Sequence, residues 1–191
     1  VGVTSSEAVL IYEFLAVPLF VATGDLLTAG GISQKLVKFA QSTVPFLPGA
    51  TAATTMVSCG LFSAVSGSNA ATAATMGRLL GPELEKKGVD KGLSAALVAA
   101  GGTVGVIIPP SVMFLIYGVT VDVSSVDLFV GGIIPGILMV LVLVSTAVFL
   151  TRRKEPTQGF KALKFEQIVK NAGNAWLGFI AIGIILFGIY W

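Results

Sequence analysis

Between Lys38 and Arg78 the chain carries no charged residue, and that gap constrains the fold more than any other feature. An uncharged run of this length belongs in a bilayer, yet it does not read as an ordinary crossing. One lipid-facing span takes about 20 residues, most of them large and apolar. Residues 49–77 are instead dominated by Gly, Ala, Ser and Thr, with Pro45 and Pro48 at the entrance. Small side chains let backbones approach closely and suit helices buried in protein. Irregular backbone at membrane depth persists only where protein or a water-filled cavity satisfies its polar groups. The stretch therefore predicts a re-entrant hairpin of two short helices over residues 48–82. It enters and leaves on one side, with Ser66-Gly67-Ser68-Asn69 at its buried tip.

The rest of the composition fits an all-α integral membrane protein. The chain is 54% apolar and 12% charged, and its charges are confined to a few loops. A net charge of +2 gives no reason to invoke nucleic acid. With no His and Cys59 alone, disulfide frameworks and His/Cys transition-metal sites are excluded. The chain starts without Met and stops at Trp191 within an apolar run, so it reads as an internal segment and Val1 does not open a signal peptide.

In chain order, residues 1–30 predict a scaffold transmembrane helix, kinked at Pro18 because proline breaks one helical hydrogen bond. Glu13 lies about one turn inside its start and reads as an interfacial carboxylate. Gly30-Gly31 ends it. Residues 31–47 form an interfacial arm, with Leu36, Val37, Ala40 and Val44 on one face and Lys35, Lys38 and Gln41 largely on the other. After the hairpin, residues 79–91 gather charge into a water-exposed connector. There Pro82 is placed to open a short helix, Gly88 to close it and Asp90 to cap the next. Glu83 and Lys87, four apart, are placed to pair.

Residues 83–126 then hold that connector and a discontinuous transmembrane helix. The segment begins as a small-residue helix, breaks at Gly101-Gly102-Thr103-Val104-Gly105 and again at Pro109-Pro110, and resumes near Ser111. Glycines and prolines are costly inside a helix, so the interruption has a use; broken helices mark ion and substrate sites in secondary transporters. Residues 127–153 predict a full transmembrane helix capped by Ser125 or Asp127 and stopped by Arg152-Arg153-Lys154. Residues 154–174 read as a second, cytoplasmic interfacial arm, with Phe160, Leu163, Ile168, Val169 and Ala172 on one face and Lys161, Lys164 and Lys170 outside it. Residues 175–191 begin a transmembrane helix that the chain truncates.

Charge gives an independent test of this topology. Lys and Arg fall in three connectors: Lys35 with Lys38, residues 78–91, and residues 152–170. The 118–127 connector carries only Asp122 and Asp127. The positive-inside rule puts the three basic connectors in the cytoplasm. Two of them flank residues 39–77, and only re-entry keeps both on that side.

These residues carry a close family resemblance. The strings Leu15-Ala16-Val17-Pro18-Leu19-Phe20, Gly31-Ile32-Ser33, Ser66-Gly67-Ser68-Asn69-Ala70-Ala71-Thr72 with Gly77, Ile108-Pro109-Pro110-Ser111 with Tyr117-Gly118, and Leu128-Phe129 with Gly132-Ile133-Ile134-Pro135-Gly136 together resemble the large, DctM-type membrane subunit of the tripartite ATP-independent periplasmic (TRAP) transporters. The likeness covers almost the whole chain, which looks like most of the first of two inverted halves plus the approach to the second. Some members carry Asp where this chain has Thr72. The resemblance implies a multi-pass permease of the bacterial inner membrane performing Na+-coupled uptake of organic acids, C4-dicarboxylates foremost, by an elevator-type movement. Its implied partners are a periplasmic solute-binding protein and a small membrane subunit. No cofactor beyond the coupling Na+ is implied.

Helix physics supplies a mechanism for that expectation. Helix N-termini present unpaired N–H groups and partial positive charge, and so hold a carboxylate without Lys or Arg. The second hairpin helix starts near Asn69 and the resumed helix near Ser111, which makes Ser68, Asn69, Thr72, Pro110 and Ser111 the candidate substrate residues. Sodium takes oxygen ligands, and unwound carbonyls supply them. The candidates are Ser66, Gly67, Gly101, Gly102, Thr103 and Gly105.

Plainer readings stand beside these. The pairs Gly101/Gly105 and Gly132/Gly136 have the spacing of helix-packing motifs. Pro135 reads as a kink, Cys59 as a small buried side chain, Arg78 with Lys86-Lys87 as solvated or lipid-headgroup contacts, and Trp176, Tyr190 and Trp191 as interfacial anchors. A binding-protein-independent Na+/dicarboxylate symporter or a channel would use the same hairpin logic. An intramembrane serine protease, suggested by Ser66-Gly67, is disfavoured because the chain has no His to act as base. ATP-driven transport lacks a Gly-rich loop ending in Gly-Lys.

Overall fold

A computed structural model describes residues 17–155 and 165–190, and every regular element among them is helical. Glu13, the first part of the first span, Phe160, Lys161, Leu163, Lys164 and Trp191 lie outside the described residues.

The first helix, α1, occupies Val17–Ala29. Gly31, in the left-handed region at φ 78°, turns the chain into α2, Ile32–Thr43. The turn falls there because glycine alone adopts that conformation without a Cβ penalty. Helix α2 buries Ile32, Leu36, Val37 and Ala40 and leaves Lys38 and Gln41 exposed. Helices α3 (Ala50–Ser66) and α4 (Asn69–Lys86) are joined through Gly67 and Ser68 alone and pack against each other as a hairpin. Helix α5 (Lys91–Thr103) passes through one 3-10 turn, Val104–Val106, into the irregular residues 107–111 and then α6 (Val112–Val121). Helix α7, Ser125–Thr151, is the one described helix long and apolar enough to cross a membrane. Helices α8 (Phe165–Asn174) and α9 (Trp176–Tyr190) follow.

Helix α3 is the hub, packed against α2, α4, α5 and α7. Its Cys59, Phe62 and Val65 join Leu36, Val37, Met76 and Leu80 in one buried cluster. Met56 joins Leu84, Val89, Leu97 and Ala147 in a second. The small residues of this region permit the packing. A Cβ on Gly60 would lie 3.0 Å from Val140, and one on Gly101 would lie 2.5 Å from the Cys59 sulfur. Cys59 is the buried small side chain that its surroundings predict.

The basic connectors meet at one end of the molecule. Gln41 donates to Glu83 at 3.1 Å, Lys154 donates to the Gly88 carbonyl at 2.7 Å, and Asn171 donates to the Lys38 carbonyl at 3.2 Å. Both feet of the hairpin stand there, beside the C-terminal end of α7. Its tip lies beside the interruption between α5 and α6.

Four expectations need correcting. Residues 101–103 do not break the helix: α5 runs through Gly101, Gly102 and Thr103, and the interruption is confined to the 3-10 turn and residues 107–111. A glycine costs a helix only about 1 kcal/mol, and close packing on Cys59 and Asn69 occupies the space these glycines leave. Pro82 does not open a helix but lies inside α4, on its exposed side, while Leu80 and Leu84 anchor the opposite face in the core. Residues 79–86 are thus the end of α4, and Glu83, Glu85, Lys86 and Lys87 are exposed there, as the sequence predicts for this connector. Lys87 does not pair with Glu83 but reaches Glu155 at 3.4 Å. Finally, α7 is capped by Ser124, whose hydroxyl accepts from the Asp127 amide at 3.4 Å. Gly88 (φ 81°) and Asp90, which accepts from the Leu93 amide at 3.0 Å, close and open their helices as the sequence predicts.

Candidate functional site

The hairpin turns on Gly67, at φ 58°, and on Ser68, the N-cap of α4. Ser68 Oγ accepts from the Ala71 amide at 3.4 Å, and its carbonyl accepts from the Thr72 amide at 3.0 Å. A helix's first N–H groups have no partner inside the helix, so this cap consumes part of α4's N-terminal donor set and leaves the Asn69 end of it at the tip.

The interruption fits against that tip. A Cβ on Gly105 would lie 3.0 Å from both the Asn69 nitrogen and the Ser68 carbonyl oxygen, and one on Gly102 would lie 2.8 Å from Asn69 Oδ1. A Cβ on Gly67 would lie 2.8 Å from the Pro110 carbonyl oxygen and would strike the Phe20 ring. The Val112 amide, first in α6, donates to the Gly67 carbonyl at 3.2 Å. Pro109 and Pro110 are joined by a cis peptide bond. Behind them α7 presents Gly132 and Gly136, whose missing side chains make room for the Ile107 carbonyl and the Ile108 side chain. That pair is therefore a packing surface for the interruption. Two helix C-termini (α3 and α5) and two N-termini (α4 and α6) converge on this point, where partial negative and partial positive charge lie side by side.

The candidate residues divide by exposure. Asn69 is exposed and Ser68 half-buried, so both face outward at the tip. Thr72, Pro110 and Ser111 are buried. The Thr72 hydroxyl lies 3.0 Å from Ser66 Oγ and 3.4 Å from Ser63 Oγ, forming a buried chain that ties α3 to α4 beneath the turn. The Ser111 hydroxyl donates to the Val106 carbonyl at 2.7 Å instead of capping α6, which braces the interruption from within. Of the proposed ion ligands, Ser66, Gly67, Gly101, Gly102 and Gly105 are buried at the contact, whereas Thr103 is exposed and donates to the Ala100 carbonyl at 2.6 Å. The carbonyls of Gly101 and Gly102 lie at the α5 C-terminus and accept from the Val104 amide. The Gly67 carbonyl is engaged by Val112 but keeps a second lone pair. The oxygen-only donors here fit a hard cation, and among the described residues no group of three or more His, Cys, Asp or Glu gathers anywhere.

Removing the Thr72 hydroxyl tests how far the buried chain holds the turn. Thr72→Val keeps the volume but leaves the Ser63 and Ser66 hydroxyls without that partner, an expected loss of about 1–3 kcal/mol. Thermal denaturation in detergent is expected to show a lowered midpoint for Thr72→Val and one close to the parent for Thr72→Ser.

Glu155 is the residue that sequence reasoning missed. Its carboxylate accepts from the Thr51 amide at 2.9 Å and the Thr51 hydroxyl at 3.1 Å, while its backbone carbonyl accepts from the Gly49 amide at 2.8 Å. It thereby caps α3 from a position far away in the chain. The charge-free start of α3, which has no side-chain cap of its own, was the available signal.

Comparison with known proteins adds an independent line. Residues 2–191 match the family model described as "Tripartite ATP-independent periplasmic transporter, DctM component". The chain is 37% identical over 184 residues to the isethionate TRAP transporter permease protein DctMQ of Oleidesulfovibrio alaskensis, an alignment covering 94% of this chain and 28% of that protein. It is 33% identical over 184 residues to the C4-dicarboxylate TRAP transporter large permease protein DctM of Vibrio cholerae, covering 94% and 39%. It is 35% identical over 183 residues to the ectoine TRAP transporter large permease protein TeaC of Halomonas elongata, covering 93% and 42%. The chain thus spans less than half the length of each of these relatives.

Proposed function

Since the chain belongs to the DctM component family of the tripartite ATP-independent periplasmic transporters, a family of membrane-embedded permease subunits, we propose that it forms one half of the translocation path of a Na+-coupled carrier for organic acids. The observation that carries this reading is the seating of the hairpin tip, Ser66 to Asn69, on the interruption between α5 and α6. The hairpin re-enters the bilayer from the cytoplasmic side, where the basic connectors gather. At its tip the exposed Asn69 and the start of α4 offer donors to a carboxylate. The carbonyl ends of α3 and α5, with Ser66 Oγ, offer oxygens to Na+. Anion and cation thus bind at adjoining helix ends, each lowering the cost of desolvating the other.

C4-dicarboxylates are the substrate class we favour, since that name recurs among the relatives; those named for isethionate and ectoine match over as much of the chain, and their substrates are the competing outcomes. Delivery by a periplasmic solute-binding protein, buttressing by a small membrane subunit, location in the inner membrane and elevator-type displacement complete the proposal. The test is reconstitution of the full-length permease with its small subunit in liposomes. Succinate uptake is expected only with an inward Na+ gradient and the periplasmic receptor present. Uptake without the receptor would instead identify a binding-protein-independent symporter, and undiminished uptake with K+ replacing Na+ would overturn the coupling.

A further inference from the structure

The hairpin is held at its tip against the interruption, and it is held again at the other end of α3. There the chain end of α7 closes over the helix N-terminus. Gly49, the α3 N-cap in the left-handed region at φ 67°, is pressed on Thr151 so closely that a Cβ would collide with the Thr151 hydroxyl. One turn later Glu155 takes the Gly49 amide with its carbonyl and the Thr51 amide and hydroxyl with its carboxylate. Residues 152–155 stay wound after α7, with the Lys154 and Glu155 amides both donating to the Thr151 carbonyl. The same carboxylate meets Lys87 at 3.4 Å, and neighbouring Lys154 donates to the Gly88 carbonyl, so the turn after α4 is tied to the same point.

We propose that Glu155 is a positioning residue: it caps α3 from a distant part of the same chain and so sets the angle at which the hairpin stands on the end of α7. The two parts of the cluster differ in weight. The Glu155 side chain is only 11% exposed and meets both the helix dipole and a backbone N–H, whereas Lys87 is 50% exposed and contributes an ion pair that solvent screens. The cap dominates, and the lysine is secondary. Leverage makes this matter: α3 has 17 residues and so is about 25 Å long, and a tilt of about 5° at its foot would move the tip by about 2 Å. A displacement of that size separates Asn69 from Gly102 and Gly67 from the Pro110 carbonyl, the contacts that build the tip.

The consequence for uptake rests on the function proposed above; the cap itself does not. The test uses the full-length permease in lipid nanodiscs, with hydrogen–deuterium exchange read on the peptide covering residues 49–55, and substrate uptake read in liposomes. Glu155→Ala is expected to speed exchange there roughly tenfold and to raise the apparent KM about fivefold or more with a smaller change in maximal rate. Glu155→Gln, which still accepts from the Thr51 amide, is expected to fall between the parent and the alanine variant on both readouts, and Lys87→Met to match the parent. A residue that served stability alone would lower the amount of active carrier and leave KM unchanged. Unaltered exchange in Glu155→Ala, faster exchange with KM unchanged, or Lys87→Met matching Glu155→Ala would each overturn the proposal. If Glu155→Ala does not accumulate in the membrane, Glu155→Gln decides, and parental behaviour on both readouts overturns it. If the parent itself shows no uptake, the transport reading fails, and the exchange result alone decides the cap.

Discussion

Gly67→Val is expected to abolish uptake by the full-length permease and to destabilise it more than any other single change at the tip. Two effects add. Gly67 sits at φ 58°, where an L residue costs roughly 1–2 kcal/mol and a β-branched one is a true outlier. The new side chain also has nowhere to go, because the Phe20 ring and the Pro110 carbonyl already occupy the space. Overpacking of this kind costs about 1–3 kcal/mol, and its relief would push the hairpin off the interruption and break the bond from Val112 to the Gly67 carbonyl. Gly88→Val separates the two effects. Gly88 has a similar conformation, φ 81°, but a Cβ there meets nothing within 4 Å. Its valine variant should therefore show the backbone strain alone, as a modest fall in thermal midpoint with uptake retained. Equal loss in both variants would mean that the tip contact has no special role, and normal uptake by Gly67→Val would remove it from the mechanism.

Gly67 and Gly105 also mark how much of this molecule can be read without coordinates. Charge absence, small residues and the string at 66–69 locate the hairpin and its turn because each is a local property: a left-handed glycine followed by a Ser cap is written in adjacent letters. The amphipathic face of α2, the Asp90 cap and α7 are legible for the same reason. Where the interruption starts is not. Glycine reports either a flexible backbone or a close neighbour, and at Gly101 and Gly102 the neighbour is the cause, Cys59 in one case and Asn69 in the other. Val104, Gly105 and the prolines at 109 and 110 are the predicted break residues that fall within the actual gap. Pro82 misleads in the opposite direction, since burial of Leu80 and Leu84 outweighs the hydrogen bond it removes. Thr72 lies beneath the hairpin turn, and Pro110 and Ser111 lie in the interruption, but whether a side chain there faces a cavity or a neighbouring helix depends on tertiary packing. Glu155 is the extreme case. It caps α3 through Thr51, 104 positions before it, and no window along the sequence contains both partners.

The second large effect is expected at Asn69, where function and stability should part company. Asn69 opens α4, is exposed and lies against Gly102. Leucine is a better helix former than asparagine by a few tenths of a kcal/mol, so Asn69→Leu should insert normally and unfold at or slightly above the parental temperature. Uptake should nevertheless be lost, because an apolar side chain replaces the carboxamide donor where the substrate carboxylate approaches α4. Asn69→Asp makes the contrast sharper. A carboxylate in the first helical turn is stabilising by about 0.3–1 kcal/mol, yet the same charge repels an anionic substrate, so the melting midpoint should rise while uptake falls. Ser68→Leu completes the series with both signs negative. It removes the cap that holds the Ala71 amide, worth about 1 kcal/mol, and crowds the space that Gly105 leaves open. A purely structural tip would make uptake follow the melting temperature across the three variants. Opposite movements of the two in Asn69→Asp would identify the α4 N-terminus as the point where the substrate's charge is felt, whereas normal uptake by both Asn69→Leu and Ser68→Leu would place the substrate elsewhere in the carrier.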